Sequence, residues 1–438
     1  MCVSQPDVSQ LFRVFGRIGL ISFGGPAGQI ALMHRELVEE RQWVEEGAFL
    51  RALNVCHLLP GPEAQQLATW IGWRMHGTIG GLIAGLLFVL PGAAIMIGLS
   101  MLYAFAADLK PVAALFLGIK AAVLAIVVQA LIRIGRRALD SGFKRALAFA
   151  AFLALFLFNL PFPLVVLGSG AIGFLLARLR PDWLHAHGQA AGDAPVGPLP
   201  WRQTLRSLLL WAAIWAAPML AILLTLGPDH VLWKIGAFFS QLAVVTFGGA
   251  YAVLAYMAQE AVQSMHWLSA GEMTDGLGLA ETTPGPLILV TQFVGFLGAF
   301  RAPAPFTPLM AGLLGGLLTT WVTFAPCFLW IFSVAPWMER LERAPRLQGA
   351  LAALTAAIVG VIGNLTVWFA LHILFMRGER VAVGPVRLWW PDWTSIDWRI
   401  AAIALGAALL IFVARRGVMT VLAICAVAGL AVSGVQEI

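Results

Sequence analysis

Phe23-Gly24-Gly25 recurs as Phe247-Gly248-Gly249, and Pro60-Gly61-Pro62 recurs as Pro284-Gly285-Pro286. Both pairs lie 224 positions apart, and no gap is needed between them. The same shift carries Met33 to Met257, Glu36 to Glu260 and Trp43 to Trp267. Further on the shift becomes 235, pairing Gly80-Gly81 with Gly315-Gly316, Pro91 with Pro326 and Ala121-Ala122 with Ala356-Ala357. The 11 extra residues fall near Arg301-Ala302-Pro303-Ala304-Pro305, a loop by composition. Chance can give one short motif twice, but not a register shared over this length. The chain is therefore read as an internal duplication.

A duplicated chain must still find a solvent for its surface. This one is 60% hydrophobic and only 11% charged, with a mean hydropathy of +0.86. A soluble domain is about 25% charged. Most of the apolar surface must face lipid or neighbouring membrane helices, which makes this a polytopic inner-membrane protein. The net charge of +6 is spread over the ends of apolar segments, the pattern of topology determinants, and no nucleic-acid partner is expected. Cys2, Cys56, Cys327 and Cys425 are scattered without a CxxC, so neither a disulfide framework nor a zinc site is indicated. The N-terminus carries Asp7 and does not read as a cleaved signal peptide. The histidines are dispersed, and no cofactor or metal is expected. No GxxxxGK[ST] loop and no catalytic spacing of His, Asp or Cys in one segment occurs, so the chain is not read as an ATPase or other enzyme.

Apolar runs predict helices at roughly 10–32 with a break at FGG, 47–75 with a break at PGP, 78–106, 112–134, and a shorter pair at 146–160 and 162–178. A polar linker follows at roughly 180–200, then an unmatched helix at roughly 205–226. The second half repeats the plan at 231–256, 271–300, 307–335, 348–375 and a pair within 398–434. Arg136, Arg137, Lys144 and Arg145 mark one cytoplasmic loop, and Arg178, Arg180, Arg202 and Arg206 place the linker on the same side. The second copy then starts on the opposite side from Arg13 and Arg17, and Arg340, Arg343 and Arg346 fall in the cytoplasm. The expected fold is all-α and polytopic, with two inverted-topology repeats: 1–180 the first, 181–229 the linker and inverting helix, and 230–438 the second. Inverted repeats with broken helices are the architecture of secondary transporters, with the site near the midplane.

Proline removes a backbone donor, and glycine permits the sharp turn beside it. In lipid the freed groups must be satisfied by protein, water or ligand. Gly24, Gly25, Gly61, Gly248, Gly249 and Gly285 are thus candidate substrate-binding positions at half-helix ends, where exposed N–H groups favour an anion. Pro60, Pro62, Pro284 and Pro286 are the helix breakers. The alternative is that the glycines only pack closely and the prolines only kink. Lys120 lies about 12 Å into its segment at about 1.5 Å per residue, deep enough to be a counter-ion for an anionic substrate. Its repeat mate is Thr355, and Thr282 and Thr283 offer hydroxyls. A snorkelling lysine, or one paired with a carboxylate such as Glu63 or Glu281, is the competing reading. His57, Glu63 and Glu281 are proton-coupling candidates, and Glu63 also reads as a helix cap. Arg74 marks an interface, and residues 34–46 (HRELVEERQWVEE) read as a solvated connector.

The stretches FGGPAGQIALMHRELVEE, LLPGPEAQQLATWIGW, FVLPGA, VTFGGAYAVL and GLAETTPGPLILVTQFVGFLGA resemble the two-domain, long-chain members of the chromate ion transporter family. The resemblance covers nearly the whole chain. It implies a bacterial inner-membrane efflux protein that exports chromate, confers chromate resistance and draws on the membrane potential or a proton gradient. Sulfate is the look-alike anion, so sulfate or related oxyanion uptake or exchange is the alternative, and an intramembrane enzyme a more distant one. Some members of the family it resembles carry a histidine in FGGPAxHI and a polar Asn-Ser-Thr-Glu run after the first PGP; here those places read Gly28-Gln29-Ile30 and Glu63-Ala64-Gln65-Gln66.

Overall fold

The computed structural model describes residues 6–23, 25–107, 109–179, 181–184, 201–245, 250–337, 344–384 and 386–434. Helices dominate them. The first half holds α1 (Val8–Ile21), α2 (Gly25–His34), α3 (Glu46–Leu58), α4 (Glu63–Ala106), α5 (Lys110–Ala138), α6 (Gly142–Phe156), α7 (Phe162–Leu179) and the short α8 (Pro181–Leu184). Then come α9 (Trp201–Leu226), α10 (Val231–Val245), α11 (Ala250–Gln259), α12 (Ala270–Thr282), α13 (Val290–Arg301), α14 (Pro308–Val334) and α15 (Pro345–Leu374). A hairpin of β1 (Gly378–Val383) and β2 (Val386–Pro391) precedes α16 (Trp398–Ala408) and α17 (Val418–Gly434). Six described helices are long and apolar enough to cross a membrane. The fold is that of an all-α polytopic membrane protein, as its composition requires.

The duplication extends to backbone geometry. Gly61 and Gly285 both have positive φ, +110° and +90°. Gln42 and His266, also 224 apart, share φ of 52°. Each follows a π-helical turn, Arg35–Glu40 and Glu260–Ser264. In one copy the amides of Trp43 and Val44 donate to the Leu37 carbonyl; in the other, those of Trp267 and Leu268 donate to that of Ala261. Pro91 and Pro326 each sit inside a helix. Asn159 and Arg415, at φ 48° and 52°, extend the correspondence at a shift of 256. That is 21 more than 235, and the added residues are accounted for by the β-hairpin region before α16. The hairpin corrects the purely helical reading of the second half. Its signal was visible as alternation through Val381, Val383, Val386 and Leu388 around Gly384-Pro385.

The compact units do not follow the repeats. Unit 1 comprises 1–100, 187–253 and 283–348; unit 2 comprises 101–186, 254–282 and 349–438. In unit 1, α14 packs against α13, α10 and α9. The unmatched α9 buries none of its residues and touches α14 through Trp211, whose ring lies 5.1 Å from Phe332 and 5.7 Å from Phe328. Its exposed Leu209, Leu220 and Leu224 suit lipid. In unit 2, α5 packs against α16 and α17 through Ala121, Ala122, Ala125, Ala407 and Cys425. Such small residues let membrane helices approach closely. At Gly118 a Cβ would collide with the Cys425 carbonyl.

The connector at 34–46 is less solvated than its charge suggests. Glu36 is fully buried, and its carboxylate takes Arg41 at 2.6 Å and Arg17 at 3.8 Å. A buried carboxylate is tolerable only when paired in this way.

Candidate functional site

In unit 1 the FGG break of the first repeat meets the PGP break of the second. The Gly285 N–H donates to the Ser22 carbonyl oxygen at 2.8 Å, and Gln29 Nε2 donates to the Gly285 carbonyl. Gly285 also lies against Gly92, just after Pro91. The reciprocal contact is present: Gly61 lies against Cys327, just after Pro326. Gly61 matches Gly285 at 224, and Gly92 matches Cys327 at 235. Exchange of this kind is what a two-fold relation between repeats produces.

These contacts correct one expectation. Gly285 does not hold its N–H open for an anion, because the opposite break occupies both its backbone groups. At the other break, Gln66 Nε2 donates to the Pro60 carbonyl at 2.7 Å. The hydrogen-bonding surplus lies instead in side chains. Gln65, on the half-helix after the first PGP, and Gln292, after the second, are fully buried, with neither amide atom bonded to protein. The same holds for the Ser22 and Thr323 hydroxyls and Gln29 Oε1. Buried polar groups are nearly always satisfied, so this interior is suited to water or a polar solute.

Lys120, on α5 in unit 2, is not a free counter-ion. Its Nζ lies 3.2 Å from Asp275 Oδ2, on α12, and the Tyr103 hydroxyl donates to that oxygen at 2.7 Å. The Asp275 side chain is 3% exposed and that of Lys120 27%. The pairing arises because α12 and α5 pack tightly, with Gly271 beneath the ammonium group. Asp275 Oδ1 is buried with no protein partner. The sequence reading passed over Asp275 and Tyr103. The available signal was Asp275 itself at the head of the largely apolar run DGLGLA, where an ionisable group is functional by default.

The remaining candidates separate. Glu63, Pro60, Gly61 and Pro62 are buried in unit 1. Gly25 is buried in unit 1 at φ +72°, and Pro284, Thr283 and Pro286 are buried there too. His57 is exposed at the end of α3. In unit 2, Glu281 is buried, and Thr355 is half-buried on α15. Thr282 turns its hydroxyl back to the Leu279 carbonyl at 2.8 Å, as a residue rebonding a freed carbonyl does. Arg74 stacks on Trp70. Gly24, Gly248 and Gly249, together with Arg180, Arg340 and Arg343, lie outside the described residues.

A duplicated helical membrane protein with its helices broken in apolar surroundings belongs to the class of membrane transport proteins. The chain belongs to the chromate transporter family, whose model matches residues 9–174 and 233–430. It is 32% identical over 381 residues to a chromate transport protein of Pseudomonas aeruginosa, covering 86% of this chain and 84% of that one. A chromate transport protein of Cupriavidus metallidurans is 28% identical over 368 residues, covering 82% of each chain. An uncharacterised transporter of Methanocaldococcus jannaschii is 25% identical over 371 residues, covering 84% of this chain and 86% of its own. No solved structure matches the chain.

Proposed function

We propose that this protein exports chromate from the cytoplasm across a bacterial inner membrane and so confers chromate resistance. The carrying observation is the junction of FGG and PGP in unit 1, where buried amide and hydroxyl groups exceed their protein partners. The Gln65 and Gln292 amide nitrogens and the Ser22 and Thr323 hydroxyls can donate to an oxyanion in this low-dielectric interior, while the Gln29, Gln65 and Gln292 amide oxygens are left to accept from water. The family relationship and the named relatives support chromate as the substrate. The export direction rests on charge. A dianion leaving an interior at about −100 mV gains about 4.6 kcal/mol. That sustains an outward gradient of over about a thousandfold at roughly 1.4 kcal/mol per tenfold. A proton gradient is the other proposed source, with His57, Glu63, Glu281 and now Asp275 as candidate carriers. Sulfate presents the same tetrahedral dianion to the same neutral amides, so exchange or uptake of sulfate is the second reading.

Inside-out vesicles with and without an imposed potential test both. Chromate should accumulate above protein-free vesicles, more so with the potential, and sulfate should compete weakly. Absence of accumulation refutes chromate export, whereas preferential sulfate movement favours the second reading.

A further inference from the structure

Unit 2 contains a cavity of about 540 Å³ that the transport reading does not use. Four segments wall it: the end of α6 with Asn159, the π turn after α11, the second half of α15, and the β-hairpin. The hairpin is the part that the second repeat carries in excess of the first, so the cavity has no counterpart generated by the duplication.

The lining is one-sided in charge. Arg387, His266 and His372 face the cavity, and among the described residues no Asp or Glu lines it. Among the described residues no carboxylate lies within ion-pair distance of Arg387. Its backbone N–H, by contrast, is committed to the Leu157 carbonyl at 2.8 Å, which ties the hairpin to the end of α6. His372 is clamped between Trp368 and Trp389, with ring centroids 4.4 and 4.5 Å away. Its Nδ1 is 2.9 Å from the Trp368 carbonyl, which fixes the imidazole. The Trp368 indole N–H is buried without a protein acceptor. Gln263 and Asn364 add amide groups, and Gln259 is held in place by its bond to Asn159 at 2.6 Å. A guanidinium and side-chain amides, with no acid among the described lining residues, are donors that suit a tetrahedral oxyanion. The volume exceeds a bare oxyanion, and Leu155, Phe156 and Leu388 supply an apolar wall.

We propose that this cavity binds a tetrahedral oxyanion through Arg387, either a free dianion or the phosphate of a lipid headgroup. On the proposed topology the α6–α7 turn and the hairpin are extracytoplasmic, and the π turn after α11, which walls the same cavity, shares that side when α10 and α11 form a re-entrant pair rather than a full crossing. The cavity then holds the anion on the release side, and this placement rests on the export reading. A guanidinium held by the hairpin and an aromatic clamp pre-form the site, so binding does not need the transport cycle.

Binding is therefore measured without transport. Chromate is titrated onto purified protein in nanodiscs of neutral phosphatidylcholine, with tryptophan quenching as the readout and sulfate as competitor. Saturable quenching is expected, with Kd at least tenfold weaker in Arg387→Gln, partly restored in Arg387→Lys, and the quench reduced in Trp389→Phe. A second set of nanodiscs contains anionic phosphatidylglycerol. Loss of chromate quenching there, reversed by Arg387→Gln in favour of weak binding, assigns the site to lipid phosphate; unchanged quenching assigns it to the free dianion. Among the described residues the Arg387 side chain makes no hydrogen bond or ion pair, so its replacement spares the fold, and size-exclusion behaviour checks the variants. Equal Kd for wild type and Arg387→Gln in both lipid compositions overturns the proposal. If vesicles accumulate chromate while Arg387 proves irrelevant to binding, only the cavity proposal falls. If the cavity binds but vesicles accumulate nothing, only the export reading falls.

Discussion

Lys120 and Asp275 cancel one another's charge at a place where either alone would be costly. Removing one partner of a buried pair typically costs about 3–5 kcal/mol. Lys120 is about a quarter exposed, so the lower end of that range applies. Lys120→Met, which strands the buried Asp275 carboxylate, should therefore lower the unfolding temperature in detergent, and Asp275→Asn, which leaves a quarter-exposed ammonium, should do so less. The double variant Lys120→Met/Asp275→Leu removes both charges and should recover much of the stability. Transport separates the roles. If the pair opens to let Lys120 meet the anion, the stable double variant still fails to load inside-out vesicles. Full transport by the double variant would make the pair structural only.

At the element scale, the breaks are held shut by one another rather than left frayed. Gly285 and Gly61 adopt φ values that L side chains rarely take, and both approach a neighbouring helix closely. Alanine at either position adds about 1–2 kcal/mol of backbone strain. Gly285→Ala and Gly61→Ala should insert normally yet lose most chromate accumulation, as should Pro60→Ala and Pro284→Ala by restoring regular helix. Normal export by all four would reduce the motifs to kinks. Gln29→Leu probes the junction differently. It leaves the Gly285 carbonyl buried without its donor, at about 1–3 kcal/mol. A thermal shift in detergent reads that loss, and an unchanged midpoint would show that the bond contributes nothing.

For the whole molecule, the repeat is the organising fact, yet compaction ignores its boundaries. Each compact unit draws segments from both copies. The exchange of Gly61 with Cys327 and Gly285 with Gly92 inside unit 1 is the two-fold signature at the level of contacts. Inversion follows if α9 crosses alone between copies that otherwise cross an even number of times. Reporter fusions near Gln189 and Asp229 should then report opposite sides of the membrane, with Arg13 cytoplasmic. Same-side signals would refute inversion.

The sequence by itself determined the membrane setting, the two copies, the breaks and most helix spans. Each is a local property: apolar run length, residue spacing, and the backbone freedom of Gly and Pro. It also marked Lys120 as an ionisable group deep in a segment. Its partner was legible only after folding. Asp275 lies 155 residues away and reaches Lys120 because α12 packs on α5, a contact that no spacing rule encodes. The occupation of the Gly285 backbone by Ser22 and Gln29 is likewise a long-range bond. A broken helix frees its amides locally, so the sequence alone predicts open breaks. Only the tertiary structure decided what satisfies them, since a buried donor takes whichever acceptor packing brings within reach. The cavity beside Arg387 has the same origin, assembled from four segments that share no motif.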